Sequence, residues 1–248
     1  MKKTALLIAL ALLLSPGVPT IHAGWKDVLG TITKGDSPAK GLTGSALTQS
    51  EMAAGLRQAL KQGIRNAVDS LGRPDGFMGN PEVRIPMPDK LRTVEKAARA
   101  VGQGELADEF ILSMNRAGEK AVPETLDILT SAAGNMTLED ARSILNGPED
   151  AATRYFERTS REELARRIEP IVAESTERVG ATARYKDLTS KAAPLSGITG
   201  GQGLLDLDSY VTGKSLDGLF LLMAREEKRI RENPAARTTE LLQKVFSR

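Results

Sequence analysis

Polar side chains set into apolar helical stretches are where this chain could do chemistry. Asn115, Arg116 and Glu119 lie around Met114 and Ala117. Arg225 and Glu226 follow the apolar run from Leu219 to Met223, and Arg237 stands just beyond the Asn233-Pro234 corner. Arg73, Asp75 and Arg84 fall in a stretch rich in proline and glycine between 72 and 88. An arginine fork matches a carboxylate or phosphate in geometry. These residues are therefore the candidate ligand-binding set, with Arg84, Arg116 or Arg237 holding an anionic group. The competing reading is a set of buried ion pairs and carbonyl clamps that fix helix register.

The residue inventory removes most other chemistries. The chain has no cysteine, and its one histidine, His22, sits in a segment that reads as an export leader. A chain without that leader cannot build Ser-His-Asp or Cys-His nucleophilic systems. Nor can it build Cys/His zinc sites, His-ligated haem or iron–sulfur clusters. No metal and no cofactor is expected. Carboxylates remain, and a glycan hydrolase acting in the cell envelope could use Glu119 or Glu226 as its acid, with Asp75 a further candidate carboxylate. Sugar sites favour aromatic platforms, however, and aromatic residues make up only 4% of the chain, several of them at core positions. No catalytic residue is assigned on these grounds.

Three motif fragments fail on context. Gly213-Lys214-Ser215 resembles the end of a phosphate loop, but Asp208 occupies the earlier glycine position and the segment reads as helix. Gly102-x-Gly104-x-x-Ala107 imitates a dinucleotide fingerprint but joins two helices and follows no strand. Asn135-Met136-Thr137 fits a glycosylation sequon and reads better as a helix cap.

The elements that must position these residues begin after the leader. Lys2 and Lys3, the apolar run Ala5 to Leu14, the breakers Ser15-Pro16-Gly17 and the small Ala23 give the order of a secretory signal over 1–23. The apolar run is too short to span a membrane, and no later stretch is long enough. With Lys2 and Lys3 set aside, 32 basic residues balance 32 acidic ones. That balance removes the global argument for nucleic-acid binding. A periplasmic or secreted location follows, and residues 24–47, rich in Gly, Ser, Thr and Lys, read as a flexible lead-in.

From Thr48 to the end the pattern is helical. Thr48 and Glu51 form a capping box, and Met52, Leu56, Leu60, Ile64, Val68 and Leu71 recur on one face. Gly55, Ala59 and Gly63 flank that face and invite a second helix close, and Gly72 is a stop. The 72–88 stretch is a long loop with apolar anchors at Phe77, Met78, Val83, Ile85 and Met87. Asp89 is expected to cap a helix with Leu91, Val94, Ala98 and Val101 inward. A helix from Glu105 buries Leu106, Phe110, Met114 and Ala117 and is broken or kinked at Pro123, beyond which Leu126 and Leu129 continue the face.

Thr137 and Asp140 resemble a second capping box, on a helix ending at Gly147, and Pro148 opens a short helix with Tyr155 and Phe156. Ser160 and Glu163 look like the cleanest box of all, starting a long helix bent at Pro170. A loop at 193–206 precedes a last pair of helices, Leu207 to Glu232 and Pro234 to Phe246. The expected fold is all-α: one irregular bundle of about eight helices over 48–248, without significant sheet.

Six segments carry a family resemblance: LGRPDGF (71–77), VRIPMP (83–88), NRAGEKAVP (115–123), SILNGPEDAATRYF (143–156), PIVAE (170–174) and the long C-terminal run 216–246. They resemble a bacterial family of exported helical proteins of unknown function, domain of unknown function 4197. The resemblance implies export and a single helical domain. It implies no activity, cofactor or catalytic residue.

The leading expectation is a soluble periplasmic binding or interaction module without catalytic activity. Its partner would be an envelope protein or a small anionic or apolar ligand, met by the 72–88 loop and the C-terminal helix corner. The alternatives are the carboxylate hydrolase and a carrier whose helices part around a lipid tail.

Overall fold

The computed structural model describes residues 48–178, 180–192 and 206–232. The leader and lead-in, Val179, most of the expected 193–206 loop, and the last expected helix with Arg237 lie outside the described residues. Among the described residues every regular element is helical. In chain order these are α1 (Gln49–Gly72), α2 (Arg92–Ala100), α3 (Gly104–Ala121), α4 (Leu126–Asn135), α5 (Leu138–Asn146), α6 (Ala151–Arg178), α7 (Ala181–Ala192) and α8 (Leu207–Glu232). Short 3-10 turns at Asp89–Leu91 and Val122–Thr125 lead into α2 and α4.

The capping boxes at Thr48 and Thr137 both form. The Glu51 amide donates to the Thr48 hydroxyl at 3.2 Å, and the Thr48 amide donates back to the Glu51 carboxylate at 2.8 Å. The Asp140 and Thr137 pair repeats this at 3.0 Å in both directions. Thr137 closes the apparent sequon and is used as a cap. The Ser160 box does not form. Residues 151–178 are one uninterrupted helix, with Ser160 buried inside it. No glycine or proline separates Tyr155 from Glu163, so nothing stops the earlier helix from running through.

Asp89 is likewise no side-chain cap. It opens the 3-10 turn, and its carboxylate pairs with Arg92 at 2.8 Å. Val101, expected inward, is 51% exposed, because α2 has already ended at Ala100. Helix α1 ends at Gly72 without left-handed glycine geometry. Arg73 turns extended, as a residue preceding proline prefers.

The core runs continuously through α1, the loop anchors and α2 to α8, with Val94 and Ala98 the contribution of α2. Helix α8 packs on α6 and α1, and α3 packs on α6, α7 and α8. The small-residue face of α1 does admit a neighbour: a Cβ on Gly63 would stand 3.5 Å from Glu226 Cβ on α8. Helix α7 was not read from the sequence. Its Ala181 and Leu188 are fully buried, and Tyr185 lies against Phe110 at a ring separation of 5.9 Å.

Phe77 shows how the long loop enters the bundle. Its ring, fully buried, fits between Gly118 of α3 and Gly218 of α8. A Cβ on Gly218 would come within 2.8 Å of the ring, so the socket depends on α8 being bare there, while a Cβ on Gly118 would press on Ser215 and Ile85 rather than on the ring. Val83, Ile85 and Met87 are buried too, which makes the loop a strap laid into the core. No helix among the described residues is long and apolar enough to cross a membrane.

Candidate functional site

Four of the sequence candidates meet where α3 grips this strap. Asn115, fully buried, faces Ile85 as a neighbouring β-strand would. The Ile85 amide donates to Asn115 Oδ1 at 2.8 Å, and Asn115 Nδ2 donates to the Ile85 carbonyl at 2.9 Å. The same Nδ2 also donates to the Ile111 carbonyl at 2.8 Å. One turn on, Glu119 Oε1 accepts from the amides of Phe77 and Met78 at 3.2 and 3.3 Å. Arg116 spans the outside, donating to Glu119 Oε2 at 2.6 Å and to Asp75 at 2.7 Å. The hydrogen bond to Glu119 holds the Arg116 guanidinium above its ordinary pKa against the effect of burial, and Asp75 adds to it. Asp75 itself has a φ of 63°, a conformation that Asp tolerates better than most residues.

The buried members of this cluster, Asn115 and Glu119, have their polar groups engaged. Glu119 is buried with three donors on its carboxylate. The other proposed acid, Glu226, accepts from Asn66 at 2.9 Å and from Arg229 at 2.5 Å. Arg225 pairs with Glu82 of the strap. Arg73 is exposed. Asp75, Asn115, Arg116 and Glu119 therefore come together, Arg225 and Glu226 sit elsewhere on α8, and Arg84 faces a different space.

That space is a groove of about 520 Å3 between the strap and α2. In the strap, Val83, Ile85 and Met87 turn into the core while Arg84 and Pro86 are exposed, the alternation of an extended segment. Opposite, Arg92, Glu95, Lys96 and Arg99 recur at helical spacing on one face of α2. Pro86, Met87 and Ile111 supply its apolar surface. Arg99 donates to Glu95 at 2.9 Å and to Asp108 at 2.7 Å, which raises its pKa further above the ordinary guanidinium value. The strap wall is fixed from behind. The Arg84 amide donates to the Asn80 carbonyl at 2.9 Å, Asn115 holds Ile85, and the Tyr210 hydroxyl donates to the Pro86 carbonyl at 3.1 Å.

Other spaces are less suited to a ligand. Apolar space between α1, α6 and α8 amounts to about 20 Å3, roughly one water molecule's worth. A second open depression of about 580 Å3, between α4 and α6, is lined by Asp127, Glu163, Arg166 and Arg167 beside Ile128 and Ala132, and its lining is the more polar of the two. Among the described residues no three metal-ligating side chains converge.

The sequence reading missed a second buried polar unit, Glu227 with Arg231. The Glu227 carboxylate accepts from the amides of Ala152 and Thr153 at 3.0 and 2.9 Å, satisfying the start of α6 from another helix. Arg231 holds that carboxylate at 2.9 Å and donates to the Ile144 carbonyl in the last turn of α5 at 2.8 Å. Arg57 likewise donates to the Met136 carbonyl at the end of α4 at 3.2 Å. These are carbonyl and amide clamps of the kind expected for fixing helix register.

The fold and its strap define an all-helical protein whose buried polar residues tie a long loop into the bundle and so raise one wall of an open, cation-lined groove. The chain belongs to the protein family of unknown function DUF4197, whose model matches residues 46–247. Neither the curated proteins nor the solved structures hold a match to it.

Proposed function

We propose that this is an exported, non-catalytic binding module whose working face is the groove between the strap and α2. The observation that supports it best is the groove's lining: Arg84 on a fixed wall, Lys96 and two further arginines opposite with Glu95 as the one acid, and an apolar floor between them. Arginine and lysine around a partly apolar floor suit an anionic partner. A non-catalytic role is supported by Glu119 and Glu226, the two acids a hydrolase would use, being bonded into the scaffold. Export is supported by the order of basic, apolar, breaker and small residues over 1–23.

The test is calorimetric titration of the protein with three anionic probes: inorganic pyrophosphate, octanoate and a short acidic peptide. At least one should bind, and the double charge reversal Arg84→Glu with Lys96→Glu should abolish that binding without changing the melting curve. Absence of binding by all three, or binding indifferent to the charge reversal, would overturn the reading.

A further inference from the structure

We propose that the groove receives an extended acidic peptide segment of a partner protein, laid along α2 between Arg84 and the Arg92-Lys96-Arg99 stripe. This rests on the groove being the binding face and names its occupant. The cations form a line. Arg92 and Arg99 are seven residues apart on one helix, about 10 Å along its axis at 1.5 Å per residue, with Lys96 between them. An extended peptide advances about 3.3 Å per residue, so acids on one of its faces recur about every 7 Å. That spacing is close to the step from Arg92 to Lys96, about 6 Å along the helix. The intervening side chains of such a peptide alternate in direction and would meet the floor at Met87 and Ile111.

The shape of the groove favours a chain over a compact small molecule. Small-molecule sites bury about 70–90% of their ligand. This groove is more open than enclosed, so a compact ligand would keep much of its surface in water. An extended segment gathers contacts along its length instead. The acids already present do not block it. Glu95, the one acid in the groove's lining, is engaged by Arg99 at 2.9 Å; Asp89 and Asp108 are largely exposed partners of Arg92 and Arg99, and exposed ion pairs contribute little and exchange readily. Arg84 and Pro86 stand on backbone already fixed by Asn80, Asn115 and Tyr210, so that wall requires little ordering on binding.

The experiment is fluorescence anisotropy with a labelled peptide of about eight residues alternating Glu and Leu, against a control alternating Lys and Leu. The Glu-Leu peptide should bind and the Lys-Leu peptide should not. Arg84→Ala with Lys96→Ala should weaken binding about tenfold, or about 1.4 kcal/mol, and added salt should weaken it further. Both residues are exposed, so the folded state should be unaffected, as checked by circular dichroism. Equal binding of both peptides, or an unchanged affinity in the double variant, would overturn the proposal. If the Glu-Leu peptide fails while octanoate or pyrophosphate still binds and is lost on charge reversal, the peptide is refuted and the binding face stands. If all three fail, both are refuted.

Discussion

Replacing Asn115 by alanine should be among the most damaging single changes in the protein. The side chain is fully buried and makes three hydrogen bonds, two of them to the amide and carbonyl of Ile85. Ile85 is itself fully buried in the strap and has no helical ladder to fall back on. Each orphaned buried group costs about 1–3 kcal/mol, so the pair sets a loss of about 2–6 kcal/mol before any cavity is counted. Ile111 adds little, since its carbonyl lies inside α3. Total stabilities run to about 5–15 kcal/mol, so the variant should be folded but marginal. Urea unfolding followed by far-ultraviolet circular dichroism would show the midpoint falling with the slope unchanged. Asn115→Asp should be at least as damaging, because a carboxylate oxygen then faces the Ile85 and Ile111 carbonyls that the amide served. A loss under about 0.5 kcal/mol for Asn115→Ala would refute the assignment of Asn115 as the strap's main tether.

Other perturbations have predictable signs. Gly218→Ala should destabilise, because its Cβ would press on the Phe77 ring, whereas Gly213→Ala on the same helix meets nothing and should gain about 0.5–1 kcal/mol in helix propensity; chemical denaturation of both decides it. Glu227→Ala should lose about 3–5 kcal/mol, since it leaves the Arg231 charge and the amides that start α6 without their buried partner; a midpoint shift no larger than that of an exposed Glu→Ala change would contradict this. Burial pushes the Tyr210 phenol up to about 12, with Asp89 adding and Arg92 opposing. Its contribution to stability is therefore complete below about pH 10 and lost as pH rises through about 12. Ultraviolet titration should show a late phenol that disappears in Tyr210→Phe.

The parts of the fold that were legible in the sequence are those where local chemistry and tertiary structure agree. Thr137 stands just after Gly134-Asn135, where α4 stops, and its capping box forms, as does that of Thr48. Ser160 carries the same pattern inside a good helix-forming run, and there core packing prevails. The limits of α8 were read correctly from the apolar period of Val211 to Ile230. Helix α7 offers only Ala181, Tyr185 and Leu188 as a face, too sparse a stripe to notice beside its polar residues.

Asn115, Arg116 and Glu119 were visible as a site because polar residues among Met114 and Ala117 break a pattern. What they do was not visible, since their partners lie about 30 to 40 positions away in the strap. The groove was hidden for the opposite reason. Arg92, Lys96 and Arg99 look like any solvated helix face until the strap places Arg84 across from them. Glu227 was passed over for its neighbour Glu226, because the sequence does not say which of two adjacent acids turns inward.

The binding face can be located by recording amide chemical shifts of the labelled protein while the Glu-Leu peptide is added. Shifts confined to the strap around Arg84, to α2 and to the Ile111 turn of α3 are the expected result. Shifts centred on Asp75, Arg116 and Glu119, or spread without focus over the bundle, would contradict it.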